Sequence, residues 1–270
     1  MGRQGAGFQG CGHGRDTNQV TVYRKKGEGN MKESTKQLAE GFACNYTVFE
    51  QGTDARFVEQ AYRKAFEAGK EAGFYPAIVV ANEYVADWLK EMDHENYGRD
   101  SIIASCKEDG KSILDKRLAG YMEDFGIRLL DDWIGRETDG DPISNFTGYC
   151  PFCGGMMEED VLLLEVLVHN PWEMIGYFPM GGWNDCPGPE EMIAICKYWY
   201  EKYKAVPAVF THDVMEFYAP EGLNGVDPIE AAKEHYAFCT DRVYQGTQTG
   251  KLSELAAGLE GSQVWYFWWD

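Results

Sequence analysis

VWYFWWD, residues 264–270, closes the chain with five aromatic residues in a row, Trp265 to Trp269, followed by an aspartate. An extended strand sends successive side chains to opposite faces, so Trp265, Phe267 and Trp269 point one way and Tyr266 and Trp268 the other. Both faces are apolar. The expectation is a central strand covered by helices on both sides, held because burying aromatic rings outweighs the fraying of a chain end. A wall for an aromatic ligand is the alternative, since Tyr and Trp also line pockets. The fold class that follows is α/β, with α+β as the alternative. Its frame is a mixed sheet of about four strands flanked by helices, with the aromatic strand central.

Patterns upstream of the tail agree with that class. Gly261 ends a helix over about 252–259, and Asp227-Pro228-Ile229-Glu230 supplies a cap, a proline and an early glutamate for a helix reaching about Arg242. VPAVFTHDVMEFYA (206–219) reads as a hairpin turning at Thr211-His212-Asp213. Pro189 opens a helix to about Lys204 with Met192, Cys196, Trp199 and Tyr203 on its inner stripe. Asn170, Pro171 and Glu173 form a capping-box pattern for a short helix over 171–178. VLLLEVLV (161–168) is an apolar run of strand length.

The N-terminal half reads as a helix-strand-helix extension. Asp54 caps a helix over 55–72, with Phe57, Ala61 and Ala65 on one stripe and Val58, Tyr62 and Phe66 beside it; Gly73 ends it. FYPAIVVA (74–81) is a strand and Asn82 caps a further helix, a unit expected at one edge of the sheet. Residues 94–111 read as irregular, and Ser112 as the start of a helix. The domain reading is an N-terminal segment over 31–135, a Gly/Asp/Asn-rich linker over 136–159 and a C-terminal domain over 160–270.

With 44 acidic against 25 basic residues, a formal charge of −19 and a pI near 4.6, a basic face for nucleic acid or an anionic membrane is not expected. No apolar run reaches the roughly 18 residues of a membrane span, and no secretory signal is visible. The eight cysteines are too sparse for a disulfide scaffold, which points to reduced thiols in a cytoplasm. The first thirty residues differ from the rest, being Gly-rich and carrying five Lys/Arg against two Asp/Glu. A purine-rich coding possibility at Lys26-Gly27-Glu28 shortly before Met31 suggests a translational start at Met31, with 1–30 a leader or disordered. The GxGxxG match at Gly5, Gly7 and Gly10 has no preceding strand and carries no weight as a dinucleotide site.

NPWEMIGYFPMGGWNDCP (170–187), KYWYEKYKAVPAVFTHDVMEF (197–217), AAKEHYAFCTDRVYQG (231–246) and the terminal VWYFWWD together resemble the bacterial family known as domain of unknown function 4253. GFYPAIVVANEYV (73–85) resembles an upstream segment of its longer members. The resemblance implies a cytosolic α/β domain and brings no activity or site residues. GYCPFCGGM (148–156) departs from the family pattern.

Four groups of residues have chemistry to offer. Cys150 and Cys153 form a CxxC knuckle, half of a zinc site that His235, Cys239 or Cys186 would have to complete. A lone CxxC is a weak signal, so no cofactor is expected, with zinc as the alternative. His212, Asp213 and Glu216 place an imidazole beside carboxylates at a hairpin turn, suited to general-base or metal chemistry; a plain polar turn is the simpler reading. Trp183, Asn184 and Asp185 sit in a loop before a helix, suited to a protein or amine-bearing partner. His235 falls on the inner stripe of its helix, where a core histidine is the default and a ligand contact the alternative. GxxxxGK[ST], HExxH and GxSxG are all absent. The preferred function is a cytosolic module that binds a protein or small-molecule partner. The alternative is a hydrolase using His212 and Asp213, with or without a metal.

Overall fold

The computed structural model describes residues 20–23, 32–94, 98–124, 126, 130–150 and 155–269. Through them the chain runs β1 (Val20–Tyr23), α1 (Glu33–Gly41), β2 (Asn45–Phe49), α2 (Ala55–Ala72), β3 (Tyr75–Val80) and α3 (Glu83–His94). Then come α4 (Arg99–Ser105), α5 (Gly110–Asp124), α6 (Leu130–Ile134), β4 (Val161–Val166) and a 3-10 turn over Pro171–Gly176. The last part holds α7 (Pro189–Tyr203), β5 (Val206–Phe210), β6 (Val214–Tyr218), α8 (Pro228–Phe238), α9 (Asp241–Tyr244), α10 (Leu252–Leu259) and β7 (Val264–Trp268).

Local chemistry sets most of these boundaries. The Asp54 carboxylate accepts from the Arg56 N–H at 2.9 Å and caps α2, which Gly73 ends at φ +77°, a left-handed conformation that glycine takes without strain. The stripe that α2 buries is Val58, Tyr62 and Phe66; Phe57 is exposed. Asn82 caps α3 by accepting from Val85 N–H at 3.1 Å, and the Asn170/Glu173 capping box is formed in full. Two boundaries in the N-terminal half differ from expectation. Residues 99–105 form α4, and α5 opens at Gly110 because Asp109 accepts from both the N–H and the hydroxyl of Ser112.

The strands form one seven-stranded mixed sheet in the order β1-β2-β4-β3-β5-β6-β7. The class is α/β, as the patterns indicated. Residues 160–270 do supply four strands, but three more come from earlier in the chain, and β3 is spliced between β4 and β5, antiparallel to one and parallel to the other. β3 is therefore interior, not at an edge, which fits its unbroken burial from Pro76 to Val80. Residues 20–23, inside the stretch expected to be leader, pair in parallel with β2. The stretch over 135–150 and 155–159 has no helix or strand, yet it buries Phe146, Tyr149 and Met157.

The aromatic tail is not central. Among the described residues β7 pairs only with β6 and ends the sheet. Helices on one face explain why so apolar a strand is stable there. Trp199 of α7 stacks on Phe267 at 5.4 Å and meets Trp265 edge-on at 5.6 Å, while Phe238 of α8 packs on Phe267 at 4.8 Å and Trp269 at 5.3 Å. Trp265, Phe267 and Trp269 are buried, whereas Tyr266 and Trp268 on the other face are only half-buried. On that second face, α2 sets Tyr62 against Phe146 and Tyr218.

Candidate functional site

The β5–β6 turn carries the His212 cluster, and the structure divides it. His212 is 44% exposed, its ring stacks on Tyr84 of α3 at 4.4 Å, and its Nδ1 lies 3.4 Å from an Asp213 oxygen. Asp213 is already employed. One oxygen accepts from the Thr211 hydroxyl at 2.9 Å, the other from the Trp268 indole N–H at 3.0 Å, and its carbonyl accepts from Trp269 N–H at 3.1 Å. Asp213 thus pins the end of β7.

Glu216 does not belong to an exposed cluster. Strand alternation turns it inward from β6, and it is fully buried beneath the 146–148 loop. There it accepts from the backbone N–H groups of Thr147 and Gly148, each at 2.9 Å. Burial pushes its carboxyl up to about 7 against the lowering effect of those bonds.

The Trp183 loop precedes α7. Trp183 is 36% exposed and Asn184 takes a left-handed φ of +47°. The Asp185 carbonyl accepts from Arg117 and its carboxylate accepts from the Thr240 hydroxyl at 3.4 Å. Next to Thr240, the Cys239 thiol donates to the Trp268 carbonyl at 3.0 Å, and Trp268 in turn reaches Asp213. These contacts tie the Trp183 loop to the His212 turn through the end of β7.

His235 sits in the core, fully buried among Trp199, Trp265 and Phe267 at 5.3, 4.6 and 5.0 Å. Neither ring nitrogen has a hydrogen-bond partner, and burial holds the imidazole well below its usual range, hence neutral. Cys150 donates to the Thr147 carbonyl at 3.7 Å, while Cys153 lies outside the described residues. Among the described residues no three His, Cys, Asp or Glu side chains gather as metal ligands.

Sequence reasoning missed Arg242. The expected helix to Arg242 instead stops at Phe238: Cys239 is extended (φ −150°, ψ 109°), and α9 restarts at Asp241 in a new direction against β7. This break carries the Arg242 guanidinium to within 5.6 Å of the Phe267 ring centre. Its Nε is sealed from solvent without a hydrogen-bond partner, and among the described residues the guanidinium has no carboxylate in ion-pair contact. Burial lowers its pKa to about 10, so it stays charged at neutral pH.

Two cavities adjoin at this arginine, sharing Arg242, Gln245 and Gly246. One, of about 180 Å³, is also lined by Tyr266 and Trp268 of β7; the other, of about 260 Å³, runs toward Asp141 and Glu254. A larger cavity, about 520 Å³ between residues 220–228 and 260–263, has no basic side chain in its lining. A further one of about 440 Å³ along α2 contains Arg63, which is paired with Glu59 at 2.6 Å.

β7 adds main-chain groups to the Arg242 site. The bonds Trp269 N–H to Asp213 and Ala219 N–H to Gln263 mark residues 263, 265, 267 and 269 as those facing β6. The N–H and C=O of Tyr266 therefore point off the open edge of the sheet, as does the N–H of Val264, which Ile143 caps at 3.1 Å. The Tyr266 phenol, pushed up to about 12 by burial and by the carboxylates of Glu216 and Asp213, keeps its proton.

No curated protein and no solved structure matches the chain. The family finding concerns its C-terminal part, which contains Arg242, Tyr266 and Trp268 but not β3: residues 162–270 match the sequence model of the family described as Domain of unknown function (DUF4253).

Proposed function

We propose that this protein is a ligand-binding module and that its site is the pair of cavities meeting at Arg242. One observation carries this reading: a partly buried guanidinium without a counter-ion among the described residues, in a chain whose acidic residues outnumber its basic ones by 44 to 25. A buried charge is ordinarily paired, because desolvation costs several kcal/mol per ion. With so many carboxylates available, a missing partner marks a place held open for one that comes from outside. Individual volumes of about 180 and 260 Å³ fall below the roughly 300–1,000 Å³ of pockets for drug-sized ligands, so the ligand is small.

The hydrolase alternative has less support. Both Asp213 oxygens are engaged, Glu216 is buried under Thr147 and Gly148, and His212 lies flat on Tyr84. We place the protein in the bacterial cytoplasm, on the strength of the family resemblance and of free thiols at Cys44, Cys106, Cys186, Cys196 and Cys239. Among the described residues no helix is long and apolar enough to cross a membrane. The strong negative charge speaks against nucleic acid as the partner.

Calorimetric titration with small anions tests the reading. Wild type is expected to bind at least one class of small anion, and Arg242→Gln to lose at least tenfold in affinity while remaining folded. Equal affinity in the two proteins would remove Arg242 from the site.

A further inference from the structure

The shape and charge around Arg242 narrow the ligand further. Resting on the binding-module reading above, we infer that the ligand is a small monocarboxylate with a flat apolar body, its carboxylate on Arg242 and its body against Tyr266 and Trp268.

Charge selects the carboxylate. Among the described residues a single guanidinium is the only basic side chain lining the two cavities, and Asp241, Asp141 and Glu254 line them as well. Glu254 is itself occupied, accepting from Gln248 N–H and Thr249 N–H at 2.8 Å each and from the Thr249 hydroxyl at 2.6 Å. A phosphate monoester, carrying close to two negative charges at neutral pH, would meet one cation among three carboxylates; a monocarboxylate needs only the one guanidinium, which matches it in planar, two-pronged geometry. The outward N–H of Tyr266 is a second donor, placed by the β6–β7 register along the same open edge.

Shape selects the body. Tyr266 and Trp268 are two residues apart on one strand, so their rings stand side by side on the face opposite Phe267, and a body held at Arg242 meets them at the open edge of β7, where both line the smaller cavity. The Trp268 indole is held by Asp213 at 3.0 Å, and its carbonyl by Cys239 at 3.0 Å, so this wall is set before a ligand arrives. Half-buried aromatic rings flanking a charged anchor suit a planar partner that stacks. An acetate-like ligand would leave this wall unused.

Four probes separate the claims: benzoate, acetate, benzamide and phenylphosphate, titrated into the full chain by calorimetry at neutral pH. Benzoate is expected to bind at least tenfold tighter than each of the other three. Trp268→Leu should reduce benzoate affinity several-fold and leave acetate unchanged. Arg242→Gln should abolish benzoate binding. If that variant does not fold, Arg242→Lys keeps the cation but loses the two-pronged match to a carboxylate, and should cut benzoate affinity at least tenfold with the fold kept. Phenylphosphate binding as well as or better than benzoate would overturn the carboxylate assignment while leaving Arg242 as an anion site. Benzamide equal to benzoate would overturn the role of charge. Binding of none of the four by a folded wild type would overturn the ligand class and deprive the module reading of its support.

Discussion

Glu234 and Arg242 lie eight residues apart, and the chain treats their charges in opposite ways. The Glu234 carboxylate is buried and saturated: it accepts from the hydroxyls of Tyr198 and Tyr203 at 2.8 Å, from the Trp199 indole at 3.3 Å, and pairs with Lys202 at 2.7 Å. Among the described residues Arg242 pairs with no carboxylate, and it opens on two cavities. The first charge is part of how α7 and α8 are joined. The second contributes nothing comparable to cohesion, and its burial is tolerated for another end.

Substituting both residues by leucine is the strongest way to break that comparison. Glu234→Leu leaves Lys202 and the three donors unpaired in a packed helix interface. Removing one partner of a buried ion pair costs about 3–5 kcal/mol. Arg242→Leu removes an uncompensated charge and gives up a cation–ring contact worth about 0.5–1 kcal/mol, so its effect should lie within about 1 kcal/mol of wild type, or be stabilising. Urea denaturation of the two variants measures both. Equal large losses would make Arg242 a structural residue after all.

Glu216 is an intermediate case, a buried carboxylate held by loop N–H groups instead of a cation. Its folded-state pKa is raised from 4.5 to about 7, so between these values the native protein keeps a proton that the unfolded chain has released. The stabilisation is full below pH 4.5, falls as pH rises, and is gone above about pH 7. At about 1.4 kcal/mol per unit, the total is on the order of 3 kcal/mol. Buried neutral His235 adds an opposite slope below about pH 6.5 to wild type and variant alike, so the difference in stability between wild type and Glu216→Gln should fall as pH rises from 4.5 to about 7 and then stay flat. Parallel curves would mean that Glu216 is ionised throughout.

How far these sites were legible varies with the range of the interactions that make them. Caps at Asp54, Asn82, Asn170 and Asp227 are local, and the helices they start were readable. Position in the sheet was not. The place of β3 depends on parallel pairing with β5 across some 130 residues, and nothing local encodes it. The aromatic tail misled because apolarity on both faces suggested a central strand, whereas α7 and α8 cover one face of an edge strand and leave the other half-open. Glu216 was judged by its nearness to His212 in sequence, but the loop that buries it comes from about 70 residues earlier. Arg242 went unnoticed because the helix break at Cys239 has no glycine or proline to announce it.

The smallest effect concerns the two loops at the end of β7. His212 and Trp183 are partly exposed, and neither lines the Arg242 cavities. His212→Ala removes the stack on Tyr84, itself an exposed ring, and Trp183→Ala trims a loop whose path is set by main-chain bonds such as Gly182 N–H to Cys186 O at 3.2 Å. Surface changes of this kind usually lie within about 0.5 kcal/mol, with about another 0.5–1.5 kcal/mol where an aromatic pair is lost. Thermal midpoints of both variants should therefore stay close to wild type. Their anion affinity, read by the same calorimetry, should also be unchanged, because the path from these loops to the cavities runs through Asp185, Thr240 and Asp213, which both variants retain. A tenfold loss of benzoate affinity in either variant would extend the site from the Arg242 cavities to the loop it carries, and would erase the distinction between a charge held open for a ligand and a surface left over.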